Sequence, residues 1–388
     1  MLRNPSTRIL DLIEGWEEEQ IEFLIGLCEQ NSYTLNTQGN DRVASMILEK
    51  LEDIFAVHCI SEQDRVGDHH ILRSREEGKA IYLLGHTDTV FPQEHPFQSC
   101  KKDGDWLHGP GTADMKGGLA VLVYALKALK KAGGMEDMSI SIILGGDEEN
   151  GSPTSRKIYE EEREKAIVCL VGECAGENGE IVVSRNGKAG GRLECRGLDS
   201  HVSSVAAKKS SAILELAHKV IAFEALNDTH SDIRVNVGRI EGGLGPSTIP
   251  GHAHFWFDLR WQDEKIYPDL LERVNKIATH NEQSGCTTYL EILNYRPAMP
   301  VNTTTQLLLS RLEEVARELG QKITTEHRRG TSDGNFFGSV EIPTLDGFGP
   351  IGIDDHTHNE RIWIPSLKTR TILLALFLLH LKDLWPSE

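Results

Sequence analysis

Paired thiols are missing from this sequence. Its seven cysteines, at positions 28, 59, 100, 169, 174, 195 and 286, are odd in number and scattered, and none forms a C-x-x-C pair. That argues against a secreted disulfide framework and against a thiolate zinc site. It leaves the cysteines as small buried hydrophobes and the cytoplasm as the simplest compartment. Long apolar runs are missing too. The longest, residues 80–84 and 373–379, fall well short of the ~20 residues that span a bilayer, so no membrane partner is expected. The opening Met1-Leu2-Arg3-Asn4-Pro5 lacks the apolar stretch and small-residue cleavage site of a signal peptide, and none is expected. Basic charge is short: 41 Lys and Arg face 59 Asp and Glu, for a net charge of −18. No basic stripe compensates, so nucleic acid is a poor partner. Histidine, by contrast, is plentiful. Sixteen of them among so many carboxylates supply the ligand types that zinc takes once thiols are set aside.

A chain of 388 residues fits about two or three domains. Apolar periodicity predicts helices over residues 6–29 and 41–55, a strand at 80–84, a helix over 117–131 and a strand at 139–144. A helix over 154–165 and a strand at 166–171 follow. Buried strands alternating with helices mean an α/β domain with a mostly parallel sheet. The texture changes near Glu180. Residues 181–185 and 191–196 read as antiparallel strands joined through Asn186-Gly187. A helix over 211–225, strands at 234–240 and 253–260, a helix over 266–283 and a strand at 287–293 complete a segregated α+β unit. The α/β pattern resumes with a helix over 304–319, a strand at 343–348 and a helix over 366–384. The reading is therefore a discontinuous domain of residues 1–186 and 300–388, interrupted by an inserted unit of residues 187–299.

Chemistry-bearing residues gather where these strands end. His86-Thr87-Asp88 follows the strand at 80–84, and ligands of open α/β sheets bind at the carboxyl ends of strands. His86 could take a metal while Asp88 fixes its other ring nitrogen, although H-x-D alone equally describes a structural pair. Asp114, in Gly109-Pro110-Gly111-Thr112-Ala113-Asp114-Met115-Lys116-Gly117-Gly118, stands just before a helix, where it could also be a plain N-cap. In Asp147-Glu148-Glu149-Asn150-Gly151-Ser152, two adjacent carboxylates can divide labour, one holding metal while the other takes a proton. Glu173 ends a third strand, and His356 lies in the polar loop Gly352–Glu360. Each has a bland reading by itself. Five such residues on separate loops around one sheet are a different matter: carboxylates with imidazole suit zinc, or manganese or cobalt less tightly.

The order H-T-D, G-x-G-x-x-D-x-K-G-G, D-E-E-x-G-S, a Glu and a late His resembles the co-catalytic zinc peptidase and deacylase superfamily. That group includes glutamate carboxypeptidase, aminoacylase, acetylornithine deacetylase and succinyl-diaminopimelate desuccinylase. The resemblance runs from about residue 80 to 365. It implies two divalent metals, zinc foremost, with His86 and Glu173 on one, Glu149 and His356 on the other, and Asp114 bridging them ahead of a cis peptide to Met115. It also implies Glu148 as general base. The inserted unit would be a ferredoxin-like lid and dimerisation domain. Its Gly197-Leu198-Asp199-Ser200-His201 is similar to a motif whose histidine steadies the oxyanion in the partner subunit's site. Arg260 would grip the substrate carboxylate, assisted by the glycine-rich loop with Gly330 and Ser332. Ser247 stands where relatives carry a substrate-contacting asparagine, and Glu360-Arg361-Ile362 replaces the usual Glu-Tyr-Val. The implied enzyme is a homodimeric hydrolase cutting an amide or peptide bond beside a free carboxylate, most like a glutamate-carboxypeptidase-type exopeptidase. An N-acyl-amino-acid deacylase is the alternative.

Two rivals remain at this stage. Gly330-Thr331-Ser332-Asp333-Gly334 fits G-x-S-x-G, the nucleophile elbow of serine hydrolases, with Asp346 or Asp354 and His356 or His358 following in order. A degenerate, non-catalytic member of the superfamily is the other, but it should have lost a ligand or the base, and all six positions are present.

Overall fold

The apolar run at residue 80 is part of the third strand of a six-stranded sheet. In chain order its strands are β1 (Val57–Ser61), β2 (His69–Arg73), β3 (Ala80–His86), β4 (Ile140–Gly145), β5 (Ala166–Val171) and β6 (Thr344–Leu345), arranged β1-β2-β4-β3-β5-β6. β3, β4, β5 and β6 run parallel, while β1 and β2 add an antiparallel edge. Every residue of β3 and β4 is buried, because helices cover both faces. Alternation along β3 divides its side chains: Ile81 and Leu83 join the core under helices Pro5–Gly15, Gly117–Lys131 and Ile364–Leu381, while Tyr82 and Leu84 join Tyr159, Phe336 and Phe337 on the other face.

The computed structural model describes residues 4–136, 138–204, 209–228 and 232–382. Residues 1–3, part of the opening segment read for a signal peptide, and residues 383–384 of the expected closing helix lie outside them. The chain divides into two units, Met1–Ser184 with Val301–Arg328 and Ser332–Glu388, and Arg185–Pro300 with Arg329–Thr331. In the first unit, helix Gly117–Lys131 is buried almost all round. A Cβ at Gly118 would stand 1.5 Å from the carbonyl oxygen of Gly172, so only glycine lets this helix meet the end of β5. Helix Ile364–Leu381 is long and apolar enough to cross a membrane by length and composition, more than the short runs in the sequence suggest, yet most of it is buried in the core.

The second unit is a β-α-β-β-α-β fold of the ferredoxin-like kind. Its antiparallel sheet has the order Arg234–Gly242, His252–Trp261, Gly187–Arg196, Thr287–Arg296. Helices Ala212–Glu224 and Tyr267–Thr279 pack Leu216, Phe223, Leu270 and Val274 against Leu193, Phe255, Phe257 and Leu259 of the sheet.

Three expectations change. The helix expected over 6–29 is two helices, Pro5–Gly15 and Glu17–Glu29, because Trp16 after Gly15 leaves the helical region with φ −110° and ψ 7°. Ile181–Arg185 does not form a hairpin with the next strand. It pairs with Thr325–Arg328 in the first unit, and the chain runs on through Asn186-Gly187 into the second. The strand expected over 343–348 is only Thr344–Leu345, since Gly347 turns the backbone to φ +79°.

Candidate active site

Three parallel strands deliver three candidate ligands to one edge of the sheet. His86 ends β3, Glu149 lies four residues past the end of β4, and Glu173 lies two past the end of β5. Asp114 arrives from the loop before helix Gly117–Lys131, and His356 from the loop between strands Gly352–Ile353 and Arg361–Trp363. All five belong to the first unit and converge. Asp114 divides its two oxygens: Oδ1 stands 2.9 Å from Nε2 of His86, and Oδ2 stands 3.0 Å from Nε2 of His356. Oε1 of Glu173 lies 3.6 Å from the same His86 nitrogen, and Oε2 of Glu149 lies 3.1 Å from the His356 nitrogen. Ligand atoms of His86, Asp114 and Glu149 fall within 4.8 Å of one another, as do those of Asp114, Asp355 and His356. Asp355 was not anticipated; it is one more acid in a loop that sequence reading left as polar.

The scaffold around these groups is buried. Asp88 is fully enclosed, and its carboxylate accepts three hydrogen bonds beside the His86 ring. Nδ1 of His86 is 3.0 Å from the Asp88 carbonyl oxygen and 3.3 Å from Oδ1, and the backbone N–H of Glu148 donates to Oδ1 at 3.1 Å. Oδ2 accepts from the Glu149 N–H at 3.2 Å and from Thr34 Oγ1 at 2.7 Å. Asp88 therefore ties His86 to the Glu148–Glu149 turn as well as orienting an imidazole. A second tie is Glu360, whose buried carboxylate accepts the N–H groups of Gly111, Ala113 and Asp114 at 3.0, 2.8 and 3.0 Å. It holds the Asp114 loop, which contains a cis peptide between Asp114 and Met115. Thr34 and Glu360 have no local sequence signal for these roles.

The electrostatics fit cation ligation. Burial and the charge of Asp114 hold the carboxyls of Glu149 and Glu173 well above the usual range. Hydrogen bonds to Asp114 and Glu149 push His356 up to about 11. Burial opposes the His86 imidazolium, but Asp114 and Asp88 outweigh it and raise its pKa as well. Burial also opposes ionisation of Asp114, yet the two histidines hold it below the ordinary carboxylate range. Oε1 of Glu149 is buried without a hydrogen-bond partner. Such crowding of acids against two imidazoles, closed around an orphaned oxygen, is the donor set that divalent ions satisfy. His86, Glu173, Asp114, Glu149 and His356 could hold two.

His201, Ser247, Arg260 and Gly330 belong to the second unit. Exposed His201 accepts or donates at Nδ1 to Ser203 Oγ at 2.7 Å, and its strand pairs with Thr248–Ile249, beside Ser247. Arg260 Nε donates to Asp258 Oδ1 at 2.6 Å. Gly330 accepts from Arg185 Nη1 at 3.3 Å. Ser332 belongs to the first unit. It is fully buried, and its Oγ donates to Asp346 Oδ2 at 2.7 Å, so the hydroxyl holds its loop. A one-turn helix, Asn335–Gly338, does follow it, but a nucleophile without exposed surface cannot attack a substrate. The Gly330–Gly334 segment is therefore no serine-hydrolase elbow.

With this geometry in hand, likeness to known proteins is specific. Carboxypeptidase G2 of Pseudomonas sp. (strain RS-16) is 25% identical over 324 residues, covering 81% of this chain and 77% of that protein. The succinyl-diaminopimelate desuccinylase of Shewanella piezotolerans is 30% identical over 320 residues, covering 77% and 82%. Among solved structures, aminopeptidase PepT of Bacillus cereus ATCC 10987 shares the fold with a TM-score of 0.74 at 22% identity, covering 94% of this chain and 98% of that one. The YXEP protein of Bacillus subtilis, a dinuclear metal-binding peptidase, gives a TM-score of 0.70 at 15% identity, covering 95% and 99%. Residues 82–380, which carry every candidate ligand, match the family described as Peptidase family M20/M25/M40, and the chain belongs to that family of metal-dependent hydrolases acting on amide bonds.

Proposed function

We propose that this chain is a two-metal exopeptidase that cleaves an amide bond beside a free carboxylate. The observation that carries the reading is the split of Asp114, one oxygen toward His86 and the other toward His356, with Glu148 on the same Asp88-tied turn as Glu149. His86, Glu173 and Asp114 would hold one divalent ion and Asp114, Glu149 and His356 the other, zinc being favoured for imidazole with carboxylate. Such ions, when bound, supply Lewis acidity and a lowered water pKa. Glu148 takes the proton of the attacking water as the new C–O bond forms, and returns it to the amine nitrogen as the C–N bond breaks. Asp88 keeps His86 oriented and fixes the backbone from which Glu148 projects. His201, offered by a second copy in a homodimer, donates to the developing oxyanion. Arg260 exchanges its contact with Asp258 for the substrate carboxylate, gripping it as a fork. A dimeric enzyme of the cytoplasm is the setting we infer.

A second reading, deacylation of an N-acyl amino acid, uses the same groups. The similarity to several succinyl-diaminopimelate desuccinylases favours it, and Ser247 leaves room for a substrate unlike those of the carboxypeptidases. A release assay decides between them: the protein is stripped with 1,10-phenanthroline, reloaded with zinc, cobalt or manganese, and given a panel of dipeptides and N-acyl amino acids. We expect activity to vanish on stripping, return on reloading, and favour substrates with a C-terminal glutamate. Preference for succinylated amines would support the deacylase instead, and activity that survives prolonged chelation would overturn both.

A further inference from the structure

The turn carrying Glu148 leaves β4 through Gly146, and the backbone there has no side chain of its own to fix it. None could be added: a Cβ at Gly146 would stand 2.4 Å from the carbonyl oxygen of Gly67. The peptide groups of Gly146 are instead gripped by two side chains. Its N–H donates to Nδ1 of His69 at 3.1 Å, and its carbonyl accepts from Nδ2 of Asn40 at 3.3 Å. Both residues are buried, Asn40 to 1% exposure and His69 to 0%.

Each of these side chains has its other end committed. Because Nδ1 of His69 accepts, its proton sits on Nε2, which faces Thr154 Oγ1 at 2.8 Å. Thr154 Oγ1 then donates to Oδ2 of Asp147 at 2.7 Å, an oxygen that also accepts the Thr154 N–H at 2.7 Å. The chain of donors runs one way, from Gly146 through His69 and Thr154 to the carboxylate beside Glu148. Asn40, from helix Thr37–Leu51, accepts at Oδ1 from Thr87 Oγ1. Thr87 lies between His86 and Asp88, so Asn40 spans the loop holding one candidate ligand and the loop holding Glu148 and Glu149.

We propose that Asn40 and His69 are positioning residues for the hydrolytic reaction: by holding the two peptide groups that flank the Gly146 Cα they set the direction in which Glu148 and Glu149 leave the sheet. The inference rests on the reading of Glu148 as general base. Glu148 is two residues from the clamp, so a rotation of the Gly146 peptide is carried into its carboxylate, and a misplacement of about 1 Å can cost on the order of 10²-fold in rate.

A purely structural role for the same bonds would lower stability and leave turnover of the folded enzyme alone. The test therefore uses Asn40→Asp, which keeps shape but turns an acceptor toward the Gly146 carbonyl, together with Thr87→Val and Thr87→Ser. The reloaded proteins are checked for two bound ions by atomic absorption, assayed for kcat and KM, and followed by hydrogen–deuterium exchange over residues 145–150. We expect Asn40→Asp and Thr87→Val to lose roughly 10- to 100-fold in kcat with both ions retained and KM within about twofold. We expect Thr87→Ser to restore turnover, and exchange to quicken in 145–150 while β5 stays protected. Unchanged kcat, or a loss that merely follows lost metal or lost folded protein, would overturn the proposal. If Asn40→Asp does not fold, Asn40→Ala takes its place beside the Thr87 pair, because Thr87 Oγ1 also lies 3.1 Å from the Gly145 carbonyl oxygen. Glu148→Gln, assayed beside them, separates the two levels. Full activity there removes the general-base reading, whereas a dead Glu148→Gln with normal Asn40→Asp and Thr87→Val removes only the clamp.

Discussion

The two units treat their functional residues in opposite ways. In the first, three of the five proposed ligands, His86, Asp114 and Glu149, are tied to buried scaffold, while His356 is exposed: Asp88 accepts from His86, Thr34 and the amides of Glu148 and Glu149, and Glu360 takes three amides of the Asp114 loop. In the second, at exposed or half-buried positions, His201 meets Ser203 two residues away, and Arg260 meets Asp258 two residues away and, at 3.5 Å, the Arg329 carbonyl. Rigid ligation needs preorganised donors; groups that meet a substrate must be free to exchange partners. The contrast teaches that the two sets should fail differently, the first by losing metal or rate outright and the second by losing grip or transition-state stabilisation.

The sharpest way to break the first set is Asp114→Ala. One residue faces both histidines, so its loss should release both ions and reduce turnover to background, read by metal content and product release together. Retention of two ions would mean that Asp114 bridges nothing. Next in size is His201→Ala, for which we expect a loss of about 10²–10³-fold in kcat with metal retained, the scale of a lost oxyanion donor. Mixing it with Glu148→Ala protein should restore partial activity in heterodimers, because one of the two sites then has both groups. No recovery, with subunit exchange verified, would remove the cross-subunit role. Arg260→Ala should raise KM by roughly 10- to 100-fold, the cost of about 1.5–3 kcal/mol for a charged hydrogen bond, and act far less on substrates lacking the carboxylate.

Metal affinity sharpens the comparison from the first unit's side. His356 is raised to about 11, so it holds a proton near neutrality when metal is absent, and the carboxyls of Glu149 and Glu173 are shifted upward, in the direction of keeping theirs. Binding must expel those protons. Affinity should therefore rise with pH and fall on acidification, by about tenfold per pH unit for each proton released. Calorimetric titration in buffers of different ionisation enthalpy measures the proton count, and a pH-independent affinity would contradict it. The smallest effect on activity belongs to Ser332→Ala. Deleting a buried hydroxyl that donates to Asp346 should cost about 1–3 kcal/mol of stability and leave kcat unchanged in the folded enzyme. A large loss of kcat would return Ser332 to the substrate.

What was legible in the sequence follows the same division. β3, β4 and β5 announce themselves because strands buried on both faces must be apolar throughout, and the ligands at their ends inherit that visibility. β1 and β2 do not: Val57–Ser61 alternates between exposed and half-buried, and β2 opens on His69 and His70, so neither forms an apolar run. The hairpin expected through Asn186-Gly187 misread a crossing between units as a turn, since the dipeptide that favours tight turns is also compatible with an extended chain. Glu360, Thr34 and Asn40 were invisible as site residues for another reason. Their partners lie far along the chain, 246 residues in the case of Glu360 and Asp114, and no local pattern marks an acceptor that meets its donors only after folding. His201 and Arg260 were found by resemblance alone.

In the mechanism we propose, Glu148 moves the proton while its neighbour Glu149 holds metal. The most direct measurement is kcat and metal stoichiometry of Glu148→Gln, a substitution that keeps the side chain's shape and removes its basicity. We expect two ions per chain, as in the unaltered protein, with turnover lower by about 10²–10⁴-fold. Near-normal turnover with both ions in place would contradict it.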